Sequence, residues 1–427
     1  MSLLLTGGAV FLNGTFQNQD LAIDQGRIVS VSSSREMASV IELHNCLIVP
    51  GFVDVHVHLR EPGFSYKETI FSGTSAAAAG GYTAVCAMPN LNPVPDTADA
   101  LGLQLDLIRK NAKIRVYPYG AITQGEHGAA LADLAAMAPD AIGFSDDGRG
   151  VQSQDMMRRA MELAKKLDKP IVAHSEDESL LTKGWAVHAG DFARRNGFIG
   201  NDPASEWKQL ERDIQLVRET GCRYHVCHIS TKESVALVRS AKAEGLPVTC
   251  ETGPHYLILT DEDLQDDGRF KMNPPIRSAA DRDALIQGLL DGTIDCIATD
   301  HAPHSAEEKS RGLTGSLNGI VGLETAFPVL YTNLVETGIV PLETILNALC
   351  VNPRRIFGLP GGSLEEGQIA DLTVLDLNRP HIIDSSAFRS LGHATPFESW
   401  GVSAAVAMTV CGGEIVYHDL KHQEETL

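Results

Sequence analysis

From Gly51 onward the chain repeats one pattern, a short apolar run of strand type followed by a longer stretch with helical spacing. The runs fall at 52–58, 83–88, 114–121, 141–145, 171–174, 224–229, 248–251 and 295–299, with helical stretches such as 68–79, 154–167, 207–219, 232–243 and 281–290 between them. Eight strands, each followed by helix or loop, predict an α/β fold: a (β/α)8 barrel of the TIM type over 51–360. An open doubly wound sheet is the competing arrangement, but no Gly-x-Gly-x-x-Gly turn follows the first strand. The ends read differently. Residues 1–50 and 361–427 hold short alternating runs with turn signals such as Leu12-Asn13-Gly14 and Asp24-Gln25-Gly26, which is hairpin chemistry. A small β-sandwich-like domain formed from both termini is expected, with the barrel inserted between its halves.

Composition narrows the partners. The formal net charge is −20, which argues against nucleic acid or an anionic membrane surface as a partner. An anionic small molecule would need a locally placed arginine. No apolar run approaches the ~18 residues of a membrane span, and Leu3-Leu4-Leu5-Thr6-Gly7-Gly8 lacks a basic flank, so it reads as a strand rather than a signal peptide. The eight cysteines sit in apolar segments without paired spacing. They are expected as buried free thiols in a reducing compartment, the cytoplasm.

The strand ends carry the chemistry. His56 and His58 lie two apart on the first strand, so they share a face, ~7 Å apart along it. The fourth strand ends in Ser145-Asp146-Asp147-Gly148, the fifth in His174-Ser175-Glu176, the sixth in His228-Ile229-Ser230, and the eighth in Thr299-Asp300-His301-Ala302-Pro303-His304. In a barrel these ends form one rim, where catalytic groups are placed. Singly, each residue has an ordinary reading: Asp300 as a helix N-cap, Asp146 and Asp147 as turn residues. Together, four histidines and two aspartates on one rim are nitrogen and oxygen ligands for zinc or a similar divalent ion. Six are too many for one tetrahedral ion, so a two-metal centre is expected. Spacing alone does not choose between Asp146 and Asp147. His225 and His255 read as structural or supporting residues. The small-residue segment 301–319 is either a lid over the site or an ordinary surface loop.

Several segments together resemble the bacterial, single-function dihydroorotases of the cyclic amidohydrolase superfamily. They are His56-Val57-His58-Leu59-Arg60-Glu61-Pro62-Gly63, Met88-Pro89-Asn90, Phe144-Ser145-Asp146-Asp147-Gly148, Ala173-His174-Ser175-Glu176, His228-Ile229-Ser230-Thr231, Met272-Asn273-Pro274-Pro275-Ile276-Arg277 and Thr299-Asp300-His301-Ala302-Pro303-His304. The resemblance implies reversible cyclisation of N-carbamoyl-L-aspartate to dihydroorotate in pyrimidine biosynthesis. It implies two Zn2+ per chain, one held by His56, His58 and Asp300, the other by His174 and His228, with Asp147 bridging. Asp300 would also carry the proton. Substrate contacts are implied for His58, Arg60, Asn90, Asn273, His304 and the backbone at Asn318-Gly319, where relatives usually have Phe-Gly; the chain also departs from their Pro-Asn-Thr at Pro89-Asn90-Leu91. Arg60 supplies the planar fork that a carboxylate requires. A hydantoinase or allantoinase would share most ligands, but many of these bridge their metals with a carboxylated lysine, and no lysine occurs between Ala141 and Gln152. A non-catalytic partner of aspartate transcarbamoylase would typically have lost ligands. A homo-oligomer is expected, and association with aspartate transcarbamoylase is left open.

Overall fold

The computed structural model describes residues 2–31 and 39–420. Through its middle run eight short strands: Phe52–Val57, Tyr82–Ala87, Arg115–Pro118 (resuming as Gly120–Ala121), Phe144–Ser145, Ile171–Ala173, Tyr224–Val226, Val248–Thr252 and Cys296–Ile297. Each pairs in parallel with the next in chain order. The end of the eighth returns to the first: Val57 and His301 form a parallel bridge, and the His58 N–H donates to the His301 carbonyl at 2.9 Å. The buried Asp54 carboxylate reinforces this seam by accepting from the Thr299 N–H at 3.0 Å and its hydroxyl at 2.6 Å. All six residues of Phe52–Val57 are buried: Val53, Val55 and Val57 share one face, and the other carries the buried polar groups Asp54 and His56.

The helices between the strands start where the sequence supplies caps. Ile70–Ala79 begins at a Thr69/Ser72 capping box, Gln154–Lys166 at Ser153, Lys232–Ala243 at Thr231 and Ala279–Leu290 at a Ser278/Asp281 box. Gln154–Lys166 buries Met156, Met157, Ala160, Met161 and Ala164, one stripe at helical spacing turned toward the strands. The expected strands at 141–145 and 295–299 shrink to two residues each. At the second, the Thr299 N–H leaves the strand ladder for Asp54, so regular pairing stops just before the functional residues.

Strands from both ends of the chain interleave. A six-stranded sheet runs Glu414–His418, Ala405–Cys411, Leu372–Asp376, Cys46–Pro50, Ala9–Leu12, Thr15–Asn18, and a four-stranded sheet runs Arg27–Val29, Leu21–Asp24, Leu3–Thr6, Ser39–Glu42. Leu3, Leu5, Val10, Ile23, Ile48, Leu372, Val374 and Met408 form their common core. Cys46–Pro50 leads directly into the first central strand, and the Gly51 N–H donates to the Asp371 carbonyl at 3.0 Å. All eight cysteines are free thiols, seven of them buried. Among the described residues, no helix is long and apolar enough to cross a membrane.

Candidate active site

The C-terminal ends of the central strands bring the predicted ligands together. His58 Nε2 lies 3.0 Å from Asp300 Oδ1, and His56 Nε2 lies 3.5 Å from the same oxygen. Asp147 is central: its Oδ1 is 3.3 Å from His56 Nε2, 3.7 Å from His174 Nδ1 and 3.8 Å from His228 Nε2, and its Oδ2 is 3.5 Å from His58 Nε2. Ligand atoms ~2.0–2.1 Å from a tetrahedral zinc ion stand roughly 3.3 Å apart, and these separations scatter around that value. Two groups of donors result, His56, His58 and Asp300 beside Asp147, His174 and His228. His56 Nε2 and Asp147 Oδ1 are buried without a hydrogen-bond partner. Leaving such atoms unsatisfied costs on the order of 1–3 kcal/mol each, so the donor set fits divalent cations. Cys227 lies within reach of His56 and Asp147, but burial pushes its thiol well up and keeps it neutral.

The charges respond to one another. Burial would raise the carboxyls of Asp147 and Asp300. His56 beside both outweighs it, helped by nearby His228 at the first and by His58, within hydrogen-bond distance, at the second, and both stay well below the usual carboxylate range. Burial opposes charging of His56, but Asp147, Asp300 and Glu251 overcome it and raise its pKa. At His58 burial prevails and, with Arg60 nearby, lowers the pKa. Asp146 is a different kind of residue. Its carboxylate accepts from the Ile122 N–H at 2.7 Å and the Thr123 N–H at 3.0 Å, so it pins the neighbouring loop while Asp147 faces the centre.

Beside the donors lies a cavity of about 180 Å³, lined among others by Arg60, Asn90, Asn273, His304, Asn318 and Gly319 together with His58, Asp147, His174, His228 and Asp300. Asn90 Oδ1 sits 2.8 Å from His58 Nδ1, and the Asn273 amide donates to Glu176 at 3.2 Å. Arg60 Nε donates to the Pro303 carbonyl at 3.1 Å. His304 Nε2 donates to the Asn318 carbonyl at 2.7 Å; burial, Arg60 and Lys67 push its pKa down to about 3, so the ring is neutral. Three non-glycine residues here have left-handed backbone: Arg60 at φ 61°, His228 at φ 30° and Asp300 at φ 48°. Strain of this kind persists where surrounding contacts over-determine it, commonly at functional sites. Gly319, at φ 134°, has no room for a side chain: a Cβ would stand 2.5 Å from the Ala302 carbonyl oxygen.

Residues 45–234 match the family model described as dihydro-orotase-like. The chain is 50% identical over 423 residues to a dihydroorotase of Geobacillus sp. (strain WCH70), covering 98% of this chain and 99% of that one. The chain belongs to the dihydroorotase family. A second member, a dihydroorotase of Fusobacterium nucleatum, is 47% identical over 420 residues, again covering 98% of this chain and 99% of that one. Among solved structures, the L-hydantoinase of Arthrobacter aurescens superimposes with a TM-score of 0.86 at 27% identity, covering 97% of this chain and 96% of that one. The dihydropyrimidinase of Brevibacillus agri, at 21% identity, a TM-score of 0.86 and coverage of 98% and 95%, shares the fold.

Beyond the residues expected from the sequence, this dihydroorotase-family site contains a buried carboxylate that the strand pattern did not single out. Glu251 Oε1 is 2.7 Å from His56 Nδ1 and accepts from the His228 N–H at 3.3 Å, while Oε2 is 3.1 Å from His225 Nε2. One side chain thus orients the His56 ring and braces the His228 backbone, and its pKa is held down to about 2 because His56 and His225 outweigh burial. The available signal was a glutamate closing the apolar seventh strand. His225 supports Glu251. His255 packs on Tyr256 with ring centroids 4.0 Å apart, and neither histidine joins the donor groups.

Proposed function

We propose that the chain is a dihydroorotase, interconverting N-carbamoyl-L-aspartate and (S)-dihydroorotate plus water in pyrimidine biosynthesis. The observation that carries this reading is the convergence of Arg60 and five ligand-type side chains on one small cavity, with His56 buried behind them, in a chain about half identical to dihydroorotases over nearly its whole length. His56, His58 and Asp300 would hold one Zn2+, His174 and His228 a second, and Asp147 would bridge. Bound there, the cations would acidify water and polarise the amide carbonyl. Asp300 rests as a carboxylate, ready to accept a proton from the attacking water and pass it to the departing ring nitrogen; ring closure starts from its acid form. Arg60, pinned through Nε, keeps its two terminal nitrogens for the substrate carboxylate. Asn90 and Asn273 offer amide donors and acceptors to the ring. Neutral His304 holds the Asn318 carbonyl and so shapes the wall that Asn318 and Gly319 present.

The parallel order of the central strands, returning from the eighth to the first, supports a (β/α)8 barrel over 51–360. The interleaved outer strands support a small β domain made from 1–50 and 361–427. We assign the protein to the cytoplasm, consistent with its free thiols, as a homo-oligomer open to association with aspartate transcarbamoylase. The hydantoinase neighbours suggest a second substrate class, and one assay separates the two. Zinc-loaded protein should turn over dihydroorotate and carbamoyl-aspartate and leave hydantoin untouched. Preference for hydantoin would refute the assignment.

A further inference from the structure

The loop after the eighth central strand is held by a buried lysine that no step of the reaction uses. Lys309 ends the short helix Ala306–Lys309, and its ammonium donates to three backbone carbonyls: Lys271 at 2.9 Å, Leu317 at 2.8 Å and Gly319 at 2.6 Å. An ammonium has three donors and no acceptor, so this arrangement uses all of them. The Asn318 carbonyl between the last two is taken by His304. Three consecutive carbonyls, 317 to 319, are therefore turned into the protein. The Gly319 N–H donates to the Lys271 carbonyl at 3.0 Å, which ties the loop twice to the segment that carries Asn273. That segment is anchored in turn. The Lys271 ammonium donates to the Trp185 and Ala186 carbonyls at 3.0 and 2.9 Å and lies 4.1 Å from the Trp185 ring centroid. Gly268 lets the two segments touch, since a Cβ there would stand 2.1 Å from the Lys309 carbonyl oxygen.

We propose that Lys309 is a positioning residue for substrate: it fixes the Leu317–Asn318 peptide so that the Asn318 N–H faces the cavity as a donor, and it sets the spacing between that donor and Asn273. The C=O and N–H of a trans peptide point opposite ways. Holding the Leu317 carbonyl on Lys309 turns the Asn318 N–H to the other side, and Asn318, Gly319 and Asn273 all line the cavity. The donor would meet a carbonyl or carboxylate oxygen of the substrate. Lys309 lies outside both donor groups, so its loss should leave metal binding intact.

This inference rests on the dihydroorotase reading, and the experiment keeps the two apart. Ring closure of carbamoyl-aspartate is measured on zinc-loaded wild type, Lys309→Met and Lys309→Gln, with zinc content determined for each. Methionine removes all three donors, and glutamine keeps a shorter amide with two. The Michaelis constant should rise about tenfold or more in Lys309→Met and less in Lys309→Gln, with kcat within about threefold and zinc content unchanged. A Michaelis constant within about twofold of wild type, or a loss confined to kcat, overturns the role. If the methionine variant does not fold, the glutamine variant decides by the same split. Wild type inactive on carbamoyl-aspartate would instead overturn the functional reading itself.

Discussion

Glu251→Gln tests how the proposed metal ligands are held. The substitution preserves shape. Its amide oxygen can still accept from His56 Nδ1 and the His228 N–H, now 2.7 and 3.3 Å from Oε1. Its NH2 group can donate to His225 Nε2, provided His225 donates from Nδ1 to Thr249 Oγ1, 2.7 Å away. What is lost is the charge behind His56. Removing such a carboxylate partner weakens metal affinity by about 10–100-fold, or roughly 1.4–2.7 kcal/mol. Glu251→Ala also strands two buried ring nitrogens, so it should in addition lose stability by about 3 kcal/mol or more. The assay is competition against a chelator of known zinc affinity, with thermal unfolding of the metal-free protein alongside. The same carboxylate sets an acid limb. Its pKa is lowered from 4.5 to about 2, so its stabilisation is complete above pH 4.5 and is lost as pH falls toward about 2. That limb should flatten in metal-free Glu251→Gln. Zinc affinity within about twofold of wild type would show that the Glu251 charge does not support His56.

Two further substitutions address the reaction. Arg60→Lys keeps the charge but not the fork, so catalytic efficiency should fall by roughly 100-fold with zinc content near wild type; equal activity would make Arg60 structural. Asp300→Asn keeps one ligating oxygen but cannot carry a proton. It should depress ring opening and ring closure by about 10²–10⁴-fold beyond any effect of metal loss, and in wild type ring opening should rise with pH. Full zinc with substantial turnover in both directions would assign the proton to another group.

Most of the donor set was legible because each ligand closes an apolar strand, and the strand count alone puts those ends on one rim. His56 and His58 show it best, sharing a face by parity. Asp146 and Asp147 could not be separated that way, because the strand before them is only Phe144–Ser145 and what decides between them is the Ile122–Thr123 loop, distant in sequence. Glu251 was hidden for a related reason. Its partners His56 and His225 lie on other strands, and a strand-end glutamate announces nothing by itself. The third strand was expected unbroken over 114–121 but is two pieces around Tyr119, whose hydroxyl donates to the Val55 carbonyl at 3.0 Å. The segment after His304 read only as small residues, yet it forms the helices Ala306–Lys309 and Gly312–Gly315, held by a lysine whose acceptors the sequence could not reveal.

Dihydroorotate turnover at this cavity should require two metal ions. Metal-free protein titrated with zinc, with bound metal and dihydroorotate hydrolysis followed together, tests it most directly. Without metal there should be no turnover, and activity should reach its plateau at two equivalents per chain. Undiminished turnover in the metal-free protein, or a plateau with one ion bound, would contradict that requirement.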